Sequence, residues 1–319
     1  MKLGKAFEIF VEHVLINVGF SVVAPDNLYI FNGAPGKMIQ GLGAVHNADV
    51  LLEPPVQTPF YSQTRLLIEC KDYSRRVGLN TVRSVIGLRE DINHFDLVDI
   101  DELTARRRQN RHELVHNYER YSYQVAIAAL NGYTIPAQSL AATYRIPLLE
   151  FNRMPFWREF LRLIIPGYVD DLSYRFNSEH NEDMAIETQI INLAVEVGKH
   201  MAVAVTNSGQ MLFLYCMTSE QIQFGDDYSL HWSEPELPWQ LRSGSQIYFF
   251  QLPDSIMKRW LSHATDELQI KKEAIHCKEQ FLSNMVVYYK YNERPVIKMI
   301  SIDENQLRLA RERLQTYDI

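Results

Sequence analysis

The chain has 319 residues, a formal charge of −7, and 46% hydrophobic, 22% charged and 11% aromatic residues. These proportions exclude collagen-like, disordered and disulfide-scaffold classes, and the length suits two domains with buried cores. The charge is uneven: residues 1–165 hold 18 Lys/Arg against 17 Asp/Glu, whereas the rest hold 14 against 22, which suggests two units with different tasks and argues against a passive polyanion binder.

Residues 3–18 carry Phe7, Phe10, Val11, Val14, Leu15 and Val18 at helical spacing, which predicts an amphipathic helix stopped by Gly19. Glu8, Glu12 and His13 interrupt this stretch, so it does not read as a signal peptide. FSVVAPDNLYIF follows as one or two strand pieces around Pro25-Asp26-Asn27. NGAPGKMIQGLG, with its four glycines, reads as a loop. ADVLLE and RLLIECK are short buried strands. Residues 79–92 form a helix with Leu79, Val82, Val85, Ile86 and Leu88 inward. The charged stretch 93–120 reads as an inserted helical excursion. YSYQVAIAAL is a strand, PAQSLAATY a helix opened by Pro136, IPLLEF a strand, and 154–164 a capping helix. Strands alternating with helices imply an α/β sheet over residues 1–165.

Polar residues 166–183 mark the boundary to a second, α+β unit spanning 166–319. That unit is expected to begin with strand-like runs. KHMAVAVTNSGQMLFLYCM reads as a hairpin turning at Asn207-Ser208-Gly209. GSQIYFFQLP is another strand, and 254–285 and 303–316 read as helical. Phe213, Tyr215, Trp239, Tyr248 and Phe249 are expected to fill its core. WSEPELPW, which holds Trp232, is a proline-broken loop that could serve a partner or stack a base. No run of about 18 uncharged apolar residues exists, so no membrane partner is expected. Cys70, Cys216 and Cys277 lie too far apart in sequence for a disulfide framework or a CxxC pair, which points to a reducing, cytoplasmic setting.

Chemistry concentrates in the first unit. Glu69 and Lys71 are two apart on a strand, so both leave one face. If the strand carrying Asp49 is its neighbour, two carboxylates meet and make a hard oxygen site for Mg²⁺, with Mn²⁺ as a substitute. The backbone carbonyl of Cys70 could add a third oxygen. Lys71 beside them could orient or polarise a water. This is equipment for hydrolysing a phosphodiester. Taken alone, these residues are also what many strand ends carry.

Gly4-Lys5-Ala6-Phe7-Glu8 with Gly19-Phe20, then His46-Asn47-Ala48-Asp49-Val50, Glu69-Cys70-Lys71 and AALNGYTIPAQSLAATYRIPLLEF together resemble the PD-(D/E)xK nuclease superfamily, in its Mrr-like restriction endonuclease branch. Ala48 stands where that pattern often has proline. The resemblance covers about residues 1–152. It implies a restriction-endonuclease-like mixed sheet flanked by helices, with Asp49, Glu69 and the Cys70 carbonyl on the metal and Lys71 on the water. Glu8 would organise a second metal or the water network, and Glu12, one turn on, competes for that place. Gln124 and His46 are weaker candidates, with ordinary structural roles as the competing reading; for His46 that role is a hydrogen bond to a neighbouring loop. Arg75, Arg76, Arg83, Arg107 and Arg108 are candidate phosphate contacts, or merely solvated charges.

The expectation is therefore a Mg²⁺-dependent DNA endonuclease, acting on double-stranded DNA in prokaryotic restriction or antiphage defence. The C-terminal unit would mediate recognition, regulation, homodimerisation or a protein partner. Competing readings are a junction-resolvase-like repair nuclease, a non-catalytic binding module and an RNA-directed nuclease.

Overall fold

The structure is a computed structural model that describes residues 2–34, 36–57, 62–95, 100–109, 111, 121–152, 154, 156–165, 185–216, 221–231, 238–253, 257, 266–301 and 304–315. The proposed boundary at 166–183, half of the 93–120 insertion (96–99, 110 and 112–120) and the core of the WSEPELPW loop lie outside the described residues.

Helix α1 (Leu3–Val18) ends as expected at Gly19, whose φ of +124° only glycine adopts readily. Strands β1 (Ser21–Val22) and β2 (Ile30–Asn32) follow. The next segment corrects the loop reading: β3 (Lys37–Gln40) and β4 (Val45–Asn47) are strands, and β2-β3-β4 form a small antiparallel sheet. Then come β5 (Val50–Glu53), β6 (Gln63–Lys71), α2 (Leu79–His94), α3 (Ile100–Arg108), β7 (Tyr121–Ala129), α4 (Ile135–Thr143), β8 (Leu148–Glu150) and α5 (Trp157–Ile164).

Five strands form one mixed sheet in the order β1-β5-β6-β7-β8. β5 runs antiparallel to β6, while β6, β7 and β8 are mutually parallel. Strand parity sorts its side chains. Leu52, Leu66, Ile68, Ala126 and Ala128 face α1, and Leu51, Leu67, Val125, Ile127 and Ala129 face Val82, Val85, Ala137 and Ala141 of α2 and α4. The sheet is thus covered on both faces, as its parallel strands require.

The second half departs from expectation at its start. Residues Ile186–Lys199 form helix α6, not strand. β9 (Met201–Thr206) and β10 (Met211–Cys216) make the expected hairpin, with Gly209 at φ +80°. β11 (Tyr228–His231), β12 (Trp239–Ser243), β13 (Gln246–Phe250), β14 (Asn284–Tyr291) and β15 (Arg294–Ser301) complete a seven-stranded antiparallel sheet ordered β11-β12-β13-β10-β9-β14-β15. Of the expected 254–285 helix, α7 (Glu267–Phe281) is described, and residues 284–285 belong to β14. Helix α8 (Glu304–Gln315) packs on α7.

The seven-stranded sheet curls. Lys298 Nζ on β15 donates to Asp226 Oδ1, just before β11, at 2.6 Å, so the two edges approach each other. Ala274 and Cys277 of α7 fill its inner face together with Trp239, Leu241, Tyr248 and Phe250. Its outer face, through Met201, Val203, Met211, Phe213 and Tyr215, packs against the same apolar cluster that holds α1, α6 and the five-stranded sheet. Helix α1 therefore touches β5 and β6 on one side and β9, β14 and α6 on the other. Its burial over a wide arc follows from that position. The α1–α6 crossing is tight: a Cβ on Gly198 would overlap the Cβ of Asn17.

Candidate active site

The five-stranded sheet changes from antiparallel to parallel pairing at β6. The start of β5 and the end of β6 meet there, at the carboxyl edge of the parallel strands, where open α/β sheets bind ligands. The register pairs Val50 with Ile68 and Leu51 with Leu67. Asp49, one residue before β5, thereby reaches Glu69. Its Oδ2 accepts the Cys70 backbone N–H at 2.9 Å and its Oδ1 accepts Asn47 Nδ2 at 2.9 Å. Two donors fix the carboxylate while each oxygen keeps a free lone pair.

Glu69 and Lys71 leave the same face, as period-2 alternation dictates, and join at 2.7 Å. Burial pushes the Glu69 carboxyl above its ordinary value; Lys71 offsets this and Asp49 adds to it. Burial opposes the Lys71 charge, but Glu69, with Asp49 and Tyr73, outweighs it and holds the ammonium above its usual range. Lys71 therefore stays charged in the folded protein.

The Cys70 thiol faces α1, and burial keeps it firmly protonated. It offers no thiolate to a metal. Its backbone does offer an oxygen. The Lys71 carbonyl accepts Leu130 N–H on the β7 side, so the neighbouring Cys70 carbonyl leaves the opposite edge, toward Asp49.

Asp49, Glu69 and Lys71 open into a cleft of about 980 Å³. Its other wall is α2, through Asn80, Thr81, Ser84, Gly87 and Asp91. His46 also lines it, and His46 Nε2 meets Asp91 Oδ2 at 2.6 Å. Asp91 Oδ1 accepts Gly43 N–H at 2.7 Å, and its backbone oxygen accepts Leu42 N–H at 3.1 Å. Asp91 thus ties the β3–β4 turn to α2. A Cβ on Gly41 would overlap its carboxylate, so the turn needs glycine there. Among the described residues, no three His, Cys, Asp or Glu side chains converge as a metal cluster. The donor set is two carboxylates and one backbone carbonyl.

The hydrogen bond from His46, then that from Gly43, hold the Asp91 carboxyl below its ordinary value. A depressed folded value means stability that is fully present above the unfolded value of about 3.9 and lost as pH falls through the folded one. Melts of wild type and Asp91→Asn should therefore differ at neutral pH and converge in acid. A difference independent of pH would exclude this role for the charge.

The other expected site residues are less concentrated. Glu8 and Glu12 lie on α1, across the sheet from the cleft wall made by α2, and neither lines the cleft. Glu8 accepts from Lys5 at 3.0 Å, and the Lys5 ammonium is raised by Glu8 first, then by Glu12 and Asp49. Gln124 pairs with Leu66 and shares its face, away from the cleft. Arg75 and Arg76 are exposed after β6, and Arg107 and Arg108 are exposed on α3. Arg83 is exposed on α2 and donates to Asn80 Oδ1 at 3.2 Å. None of the five arginines lines the cleft. His46 bonds Asp91 on helix α2 rather than a neighbouring loop, and it also lines the cleft.

Sequence reasoning missed Asn47, Tyr73, Asn80, Thr81, Ser84, Gly87 and Asp91. A polar stripe at 80, 84, 87 and 91, opposite the apolar positions 82, 85 and 92, was the available signal. Among the described residues, no helix is long and apolar enough to cross a membrane. No family model, curated protein or solved structure matches this chain.

Proposed function

We propose that the chain is a metal-dependent nuclease with a restriction-endonuclease-like first half, hydrolysing phosphodiester bonds in double-stranded DNA. The observation that supports this best is the meeting of Asp49, Glu69 and Lys71 in one open cleft at the carboxyl edge of a mixed sheet. The donors suit Mg²⁺, which is typically held by one or two carboxylates, with waters and substrate phosphate oxygens completing its shell. When bound, such an ion supplies Lewis acidity toward the phosphoryl group and activates a water. Burial raises the Glu69 carboxyl and the neighbouring Asp49 charge adds to it; a cation held by these residues would favour the charged form of both.

The chain's own groups do the rest. Asp49, fixed by Asn47 and the Cys70 N–H, and Glu69 set the geometry of the donors. Lys71, kept charged by Glu69, orients the attacking water or neutralises charge developing on the phosphoryl oxygens. Glu8, on the far side of the sheet, would act through the charge field around Lys5. By resemblance the products carry a 5′-phosphate and a 3′-hydroxyl, and the setting is restriction or antiphage defence. The seven-stranded half would then recognise DNA, bind a partner or a second copy, or restrain the nuclease.

The test is cleavage of plasmid, linear duplex, single-stranded DNA and RNA with Mg²⁺ or Mn²⁺, beside Lys71→Ala. Metal-dependent cutting of duplex that the variant loses is the expected result. Preference for branched DNA would favour a resolvase-like enzyme, and preference for RNA would move the substrate class. Tight binding without cutting under any metal would favour a non-catalytic module.

A further inference from the structure

Gly87 is the ninth of the 16 residues of α2. Glycine in a helix interior is destabilising relative to alanine, because it loses more backbone freedom on folding. Two structural reasons would justify it. One is a left-handed backbone, which the four glycines at 19, 132, 209 and 244 have and Gly87 does not. The other is crowding, as at Gly198 or Gly41. A Cβ on Gly87 would meet nothing within 4 Å. Neither reason applies, so the fold of this chain does not require the glycine. The open space beside it is the cleft, whose opposite wall holds Asp49, Glu69 and Lys71.

We infer that Gly87 keeps α2 low so that the sugar–phosphate backbone of a nucleic-acid strand can lie against the helix. The inference rests on the nuclease reading and adds the path of the substrate. The neighbouring cleft residues on α2 are Asn80, Thr81 and Ser84, short side chains whose amide and hydroxyl groups suit phosphate oxygens. Arg83, bonded to Asn80, adds positive charge at the rim. From Asn80 to Asp91 the wall runs ~16 Å at 1.5 Å per residue. That equals roughly five base-pair rises of ~3.4 Å measured along a duplex axis. A wall of this length fits a polymer better than a mononucleotide. Gly87 is therefore a specificity-determining position that selects a ligand by clearance.

Gly87→Ala and Gly87→Gln in the full chain test this, because both residues favour helix. Thermal melts, steady-state cleavage, and fluorescence anisotropy of a labelled duplex in a Lys71→Ala background are the readouts. Both variants should melt at or above the wild-type temperature. Gly87→Ala should already weaken binding and raise KM by a few fold, and Gly87→Gln should do so at least tenfold, each with a smaller change in kcat. Wild-type affinity and KM in Gly87→Gln would overturn the inference while leaving the nuclease reading intact. A lowered melting temperature in Gly87→Ala would place the glycine's role in the fold and overturn it too. A glycine-containing protein that neither binds nor cuts nucleic acid would overturn both readings together.

Discussion

Replacing Asp49 with asparagine should reduce metal-dependent cleavage by about 10²–10⁴-fold while leaving the metal-free protein as stable as wild type, or more so. Asparagine retains an oxygen for the Cys70 N–H, and Asn47 can turn its amide so that its own oxygen accepts from the new amide nitrogen, so the start of β5 stays in place. What disappears is one of two neighbouring negative charges. Several kcal/mol of charge stabilisation is what a bound metal supplies to such a reaction, and each ~1.4 kcal/mol is tenfold in rate. In the absence of metal the Glu69 carboxyl is raised chiefly by burial, and the same Asp49 charge adds to that rise. Its removal should therefore bring Glu69 down toward its ordinary value and abolish stabilisation by added Mg²⁺. Cleavage kinetics, with melts in EDTA and in Mg²⁺, separate the two effects. An Asp49→Asn protein that cuts at the wild-type rate would remove Asp49 from the reaction.

Phe151→Ala should destabilise the chain by about 3–5 kcal/mol, the usual cost of deleting a fully buried phenylalanine. Phe151 is completely buried. Its ring lies 4.6 Å from Phe213 on β10 and between 6.0 and 6.3 Å from Phe7, Phe10, Phe156 and Trp157. It therefore links the five-stranded sheet, α1, α5 and the seven-stranded sheet in one aromatic cluster. Probes in both halves should lose structure in one transition, shifted to lower denaturant. A loss confined to residues 1–165, with the rest unfolding as in wild type, would show that the shared cluster does not couple them.

Where local pattern decided structure, the sequence was readable. Helix α1 followed its apolar period, and Gly19 stopped it through a backbone angle that only glycine adopts easily. The common face of Glu69 and Lys71 follows from strand parity alone. Where tertiary contacts decided, the sequence misled. Lys37–Gln40 sits among glycines, yet it becomes a strand because β2 and β4 pair with both of its edges. No helix is expected from the sequence at Ile186–Lys199, which is rich in β-branched residues; packing against α1 and α5 makes it one. The β14–β15 hairpin turns at Asn292 and Glu293, with φ of +50° and +59°. From the sequence no strand is expected over 286–301, and the helix expected over 254–285 runs into the first residues of β14. Asp91 was invisible as a site residue because its partner His46 lies 45 positions away. No local rule connects the two.

The sharing of α1 between two sheets has a consequence for how the chain is made. Residues 3–18 are synthesised well before the elements that cover part of that helix: α6, β9 and β14 span 186–206 and 284–291. At ~5–20 residues per second, roughly 8–35 seconds of synthesis separate the helix from its distal cover, α6. During that interval an apolar helix has the first sheet and, once made, α5 to shelter it, while the face that meets α6, β9 and β14 stays uncovered. Aggregation in the cell should then depend on translation speed and on chaperone supply more than the melting temperature of the finished protein would suggest.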